Sequence, residues 1–267
     1  MARICSSMAL MAALVVPSSG MAEVHSSIAD VELLAGWRSA NGKHVAAIQI
    51  ELEPGWKTYW RAPGDAGIPP IFEWVTTENV SEIAVAFPVP QVFDQNGLRS
   101  VGYEDTVIFP LVVTPKDKAS NITLSGRVIV GVCEDVCVPL AVKVSAVLPV
   151  SIVKQTESIS AAMANRPMSA REAGVKNAKC KIKPISDGMQ LNASVTMPSL
   201  GSDEFAVIEM RDRSIWVSEA DVSRNGNTLS ATVDLVPQNA QPFAISRQDV
   251  RITILGDGQA VDIQGCS

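Results

Sequence analysis

Two cysteines with three residues between them, Cys133-Glu134-Asp135-Val136-Cys137, hold the clearest chemistry in the chain. A pair so spaced can close into a disulfide and be reopened by an attacking thiolate. Geometry restricts how. A disulfide needs Cα atoms about 4.4–6.8 Å apart, whereas four residues of extended strand would set them about 13 Å apart. The chain must therefore reverse direction between the two. Val128 to Val132 and Val138 to Val144 read as strands, so Glu134-Asp135-Val136 is expected to form a hairpin loop with the cysteines opposed across it. A one-turn helix also meets the distance, but the flanking valines disfavour it. So small a ring adds little loop-closure stability, which suits a bond that is repeatedly opened. Glu134 and Asp135 place carboxylates beside the thiols, disfavouring thiolate and leaning the couple toward electron donation. The competing reading is a surface staple whose acids face water.

Disulfides persist in oxidising compartments, and the N-terminus predicts export to one. Arg3 precedes an apolar run from Met8 to Val16, and Gly20-Met21-Ala22 supplies small residues for cleavage near Ala22. That run is far shorter than the roughly 20 residues of a membrane span, and no membrane insertion is expected. Cys5 would leave with the signal, so Cys133, Cys137, Cys180 and Cys266 remain. Four cysteines allow three pairings, and sequence alone does not choose. Position favours Cys180 with Cys266, because the first opens a β-rich segment and the second closes it. Such a bond is structural, contributing about 4 kcal/mol through loop closure. Cys133 is then left to Cys137.

The elements around these cysteines read mostly as β. Runs at 45–52, 107–113, 122–130 and 140–147 are short, rich in β-branched residues and bounded by Gly, Pro, Asn or Asp. Their spacing predicts a sandwich. Gln155 to Ala164 reads instead as a weakly amphipathic helix stopped near Pro167. Strands return at 190–197, 206–210 and 250–255, with Arg224-Asn225-Gly226-Asn227 as a turn. The expected organisation is all-β: a signal at 1–22, a sandwich at 23–152, a short helical linker at 153–174, and a second, smaller β-sandwich-like domain at 175–267. The 267 residues carry 22 Lys+Arg against 28 Asp+Glu, a net charge of −6. With no basic cluster, that balance argues against nucleic acid and anionic membrane surfaces as partners.

Four ordered motifs sharpen the reading. Gly55-Trp56-Lys57-Thr58-Tyr59-Trp60-Arg61-Ala62-Pro63-Gly64-Asp65, Phe87-Pro88-Val89-Pro90, Gly102-Tyr103-Glu104-Asp105 and the cysteine hairpin ending in Val138-Pro139 span roughly residues 30–150. This stretch resembles the N-terminal periplasmic domain of the thiol:disulfide interchange protein DsbD and its copper-sensitivity-suppressor relatives. The resemblance implies a periplasmic, immunoglobulin-like sandwich in which Cys133 and Cys137 accept electrons and pass them to thioredoxin-like proteins. It also implies a cap loop over the pair. Phe93, in Val92-Phe93-Asp94-Gln95-Asn96-Gly97, is the expected cap residue, with Tyr59, Trp60 and Tyr103 as supports or, more commonly for such residues, core aromatics. Asp65 is expected to shape a turn through its side chain.

The departures matter too. A full-length DsbD continues into a membrane-embedded electron-transfer domain and a thioredoxin-like domain, and this sequence shows neither a span nor a Cys-x-x-Cys. A separate membrane-embedded reductant is therefore the expected electron source, and no cofactor is expected. Two histidines, His25 and His44, are too few for a standard Cys/His zinc set. Cleavage after Ala22 would leave Glu23-Val24-His25, whose amine, amides and imidazole form a nitrogen set suited to Cu(II). No Gly-x-Ser-x-Gly elbow or phosphate-cradling loop appears. The alternative readings are a non-catalytic binding or assembly module with two structural disulfides, and a copper-stress protein.

Overall fold

The computed structural model describes residues 28–65, 67–95 and 97–267. The signal, its cleavage site and His25 lie outside the described residues. Ten strands make the first sandwich. They are β1 (Ala29–Arg38), β2 (His44–Leu52), β3 (Lys57–Tyr59), β4 (Ile71–Glu78) and β5 (Val80–Val85), then β6 (Gln91–Gln95), β7 (Leu98–Glu104), β8 (Thr106–Pro115), β9 (Ile122–Cys133) and β10 (Cys137–Leu148). One sheet has the order β1-β2-β8-β5 and the other β10-β9-β3-β7-β6, with β4 also paired to β9.

The period-two pattern explains why these strands pack. In β9, Ile122, Leu124, Val128, Val130 and Val132 are buried, and they face Ile48, Ile50, Phe109 and Leu111 of the other sheet's strands. Phe72, Phe87 and Tyr103 meet Phe109 edge-on, with ring centroids 5.3–5.7 Å away for all three. Pro139 is tolerated because β10 is an edge strand.

One side of β9 is divided between two partners. Lys57 and Thr58 of β3 pair with Cys133 and Val132, and β4 takes over from Ile129 downward. Between β3 and β4 the chain leaves the sheet as the loop 60–70. Gly131 sits opposite that gap, and a Cβ there would stand 2.6 Å from Ile68 Cβ, so only glycine lets the loop cross. Thr58, fully buried, donates its hydroxyl to the Gly131 carbonyl at 3.0 Å and satisfies it.

The second sandwich comprises β11 (Met168–Ser169), β12 (Asn177–Ile185), β13 (Gly188–Thr196), β14 (Phe205–Met210) and β15 (Trp216–Val217), then β16 (Asp221–Asn225), β17 (Thr228–Val236), β18 (Val250–Gly256) and β19 (Gln259–Gln264). Its sheets run β11-β19-β18-β14 and β12-β13-β17-β15, with β16 also on β17. Leu191, Val195, Leu229, Val233, Ile252 and Ile254 fill its core. Cys180 and Cys266 are joined, and Ser267 N donates to Ala178 O at 2.9 Å, so the C-terminus is stitched along β12.

The expected linker divides between the two sandwiches. Helix α1 (Glu157–Ala164) buries Ile159 against Trp37, Val45 and Ala47 of the first. Met168 and Ser169, counted as linker from sequence, instead pair in parallel with Val261 and Asp262 of the second. A two-residue strand carries no readable periodicity, which is why it escaped notice.

His44 is fully buried, with Nε2 donating to Ala35 O at 2.6 Å and Nδ1 accepting from Arg38 Nε at 3.3 Å. Burial foremost, together with the Arg38 charge, lowers the imidazole pKa from its ordinary value, outweighing the Ala35 carbonyl. Arg38 in turn donates to Lys118 O and Ser120 O and faces Asp117. Because the folded state favours neutral His44, its contribution is full above the ordinary histidine value of about 6.5 and is lost as pH falls below it. Urea midpoints measured from pH 7.5 to 5 are therefore expected to fall, with a shallower fall in His44→Gln. Loop-closure entropy separates the two disulfides. Removing Cys180–Cys266, which spans 86 residues, is expected to cost about 4 kcal/mol, and removing Cys133–Cys137 about 2 kcal/mol, read by denaturant unfolding of Cys→Ala pairs.

Candidate redox site

Twelve cross-strand pairs set the register of β9 with β10, and the first places Cys137 directly opposite Cys133. The sulfurs are bonded and the Cα atoms lie 4.1 Å apart. The two ends of the bond differ. Cys133 is walled in by β3 on its far side and is 3% exposed, whereas Cys137 starts the edge strand and is exposed. Of the two sulfurs, that of Cys137 is therefore the one open to solvent. Val136, 72% exposed, and Val138 form an apolar rim beside the accessible sulfur.

Tyr59 is the residue the fold brings to sulfur. Its hydroxyl lies 3.4 Å from Cys137 Sγ, and because a disulfide sulfur carries no hydrogen, the phenol is the donor. Tyr59 is 2% exposed, and burial pushes its phenol above the ordinary value, so it remains protonated. In the dithiol the same O–H is placed to stabilise a Cys137 thiolate, the form that attacks. This opposes the two carboxylates read from sequence. Glu134 and Asp135 are exposed, and Glu134 folds back over the Gly55 turn, since a Cβ on Gly55 would stand 3.2 Å from its Oε1. Solvent weakens those charges, while the hydrogen bond acts at contact.

The other aromatics do different work. Phe93, on β6, has Lys57 Nζ 4.6 Å above its ring, and Lys57 is the cross-strand neighbour of Cys133. Phe93 thus bears on the site through that lysine. Trp60 is fully buried, with the Arg61 guanidinium 3.8 Å above its ring. Tyr103 donates its hydroxyl to Pro88 O at 2.9 Å and packs on Phe109. It braces the core, as the core reading of this tyrosine expects, and burial pushes its phenol well up. Thr58, Gly131 and Ile68, which set the backbone around Cys133, were missed from sequence. Gly131 before Cys133 was the visible signal.

Residues 30–149 match the family model described as thiol:disulfide interchange protein DsbD, N-terminal. That segment is a DsbD N-terminal domain. The expected immunoglobulin-like β-sandwich is its fold. The crystal structure of the N-terminal periplasmic domain of ScsB from Proteus mirabilis is similar at a TM-score of 0.71 and 22% identity, over 91% of this chain and 95% of that one. Its match extends through both sandwiches, so the two-sandwich arrangement is shared. A protein of unknown function from Porphyromonas gingivalis W83 covers 89% of this chain and all of its own at 10% identity, with a TM-score of only 0.21. The search of curated proteins returned no match. The DsbD N-terminal domain of this chain is thus an interchange module with its disulfide present.

If Tyr59 tunes Cys137, then Tyr59→Phe in the reduced protein is expected to slow alkylation of Cys137 at pH 7 roughly three- to tenfold, with the fold unchanged by circular dichroism. An unaltered rate would remove Tyr59 from the chemistry.

Proposed function

We propose that this protein is a periplasmic thiol:disulfide carrier that takes electrons at Cys133–Cys137 and hands them to thioredoxin-like partners. The carrying observation is the asymmetry of the bond, one sulfur exposed and the other buried, at the tip of a hairpin in a domain of the interchange family. The export signal read from sequence supports the compartment, as does the periplasmic description of the Proteus mirabilis neighbour. Among the described residues no helix is long and apolar enough to cross a membrane. The electron source in this reading is a separate membrane-embedded reductant.

In the cycle, a donor thiolate attacks Cys137 Sγ. The S–S bond breaks and Cys133 leaves as thiolate and takes up a proton. A second donor thiol then attacks the mixed disulfide and releases Cys137, so the donor departs as a disulfide and two electrons with two protons have been transferred. Forward transfer runs the same steps in reverse: Cys137 thiolate, steadied by the Tyr59 hydroxyl, attacks a partner disulfide, and Cys133 resolves the mixed disulfide. The apolar rim of Val136 and Val138 offers the partner a small dry contact around the reacting sulfur.

The test is trapping. Cys133→Ser, which leaves Cys137 without its resolving thiol, is expected to accumulate a mixed disulfide with an oxidised thioredoxin-like protein. Cys137→Ser, whose remaining thiol is buried, is expected to trap it at least about tenfold more slowly. Equal trapping by both variants, or by neither, would contradict the assignment.

A further inference from the structure

The second sandwich carries no redox motif, yet it grips the one loop that frames the disulfide. Loop 60–70 has two working faces. Toward the cysteines, Ile68 crosses β9 at Gly131, and Gly67 lies so close to the Tyr59 ring that a Cβ there would stand 2.7 Å from Tyr59 Cδ1. The loop therefore backs the phenol that touches Cys137. Toward the second sandwich, Arg61 is 7% exposed and donates through Nε to both Glu209 carboxylate oxygens, at 3.2 and 3.1 Å, and through Nη2 to Thr253 Oγ1 at 3.1 Å. Asp65, expected to bond its own turn, instead accepts from Trp216 Nε1 at 2.8 Å.

Arg61 completes a ladder of charge on the second sandwich. Glu209 and Arg251 are cross-strand partners on β14 and β18, and Arg251 Nε donates to Asp262 Oδ1 on β19 at 2.8 Å. Two carboxylates and one guanidinium on that sheet leave one negative charge over, and Arg61 neutralises it from the first sandwich. Removing one partner of a buried ion pair is far more costly than removing an exposed one, because the remaining charge stays desolvated. A cavity of about 390 Å³ lies beside this contact, lined by Arg61, Asp65, Trp216 and Phe205 among others. A loosened loop would have room there.

We propose that the second sandwich is a clamp on loop 60–70, with Glu209 and Trp216 as positioning residues that hold Tyr59 and the loop against the disulfide and so set how readily the bond is attacked. The inference rests on the carrier reading and assigns a role to the domain that lacks redox chemistry.

The test follows reduction of the mature, folded protein by dithiothreitol. One dithiothreitol thiolate attacks Cys137, Cys133 leaves, and the second thiol closes the reagent into its cyclic disulfide, while alkylation and mass spectrometry locate the opened cysteines. Glu209→Gln is expected to speed opening of Cys133–Cys137 about 5- to 30-fold, and Trp216→Phe about two- to fivefold, with Cys180–Cys266 still closed. The reduction potential of the pair should shift in the same variants, which a contact serving only overall stability would leave in place. Rates and potentials equal to wild type in both variants would overturn the clamp and leave the carrier reading standing. A wild-type pair that never opens reversibly would defeat the carrier reading, and the clamp with it. Should all four cysteines of Glu209→Gln open together, the variant has unfolded, and Trp216→Phe decides by the same criterion.

Discussion

The register between β9 and β10 is the constraint on which the site depends. Twelve successive pairs, ending at Cys133 opposite Cys137, bring together two sulfurs that an extended chain would hold apart. A slip of one residue would turn every side chain of one strand to the opposite face and part the cysteines. The register is protected by the buried valines of β9, which have only one face on which to be buried. The hydrophobic core therefore positions the sulfurs as well as stabilising the fold. A bond across so short a loop contributes less to stability than Cys180–Cys266 does, and the sandwich is expected to survive its opening.

What makes the bond reactive is the difference between the two sides of β9. On one side lies β10, an edge strand, which leaves Cys137 open to a partner. On the other lie β3 and loop 60–70, which bury Cys133 and bring Tyr59 to the accessible sulfur. Two electrostatic influences then compete over Cys137. Exposed carboxylates in the loop disfavour its thiolate at a distance through water, and a buried phenol favours it at contact. A hydrogen bond at contact outweighs charges screened by water. In the carrier reading, Cys137 is accordingly a better nucleophile than its neighbours in sequence suggest.

Much of this is legible in the sequence. The cysteine spacing demanded a reversal, and β-branched runs on either side named a hairpin over a helix. The position of Cys180 and Cys266 at the ends of one β segment pointed to their pairing, which the structure shows. Other features were hidden because they rest on contacts distant in sequence. Tyr59 lies 78 residues from Cys137, and nothing in its local pattern separates a tyrosine that touches sulfur from Tyr103, which bonds Pro88. Asp65 read as a turn former because its neighbours are Pro63 and Gly64, yet its partner is Trp216, 151 residues away. Arg61 likewise gave no sign that its counter-charge belongs to the other sandwich. Local chemistry names the reacting atoms, whereas tertiary packing decides which of them is exposed and what steadies it.

The most direct measurement is a redox titration of the mature protein against a dithiothreitol series, with alkylated cysteines located by mass spectrometry. The account predicts that Cys133 and Cys137 open together and reversibly while Cys180 and Cys266 stay joined and the circular dichroism spectrum is unchanged. If all four cysteines open only as the protein unfolds, both bonds are structural and the protein is no carrier of electrons.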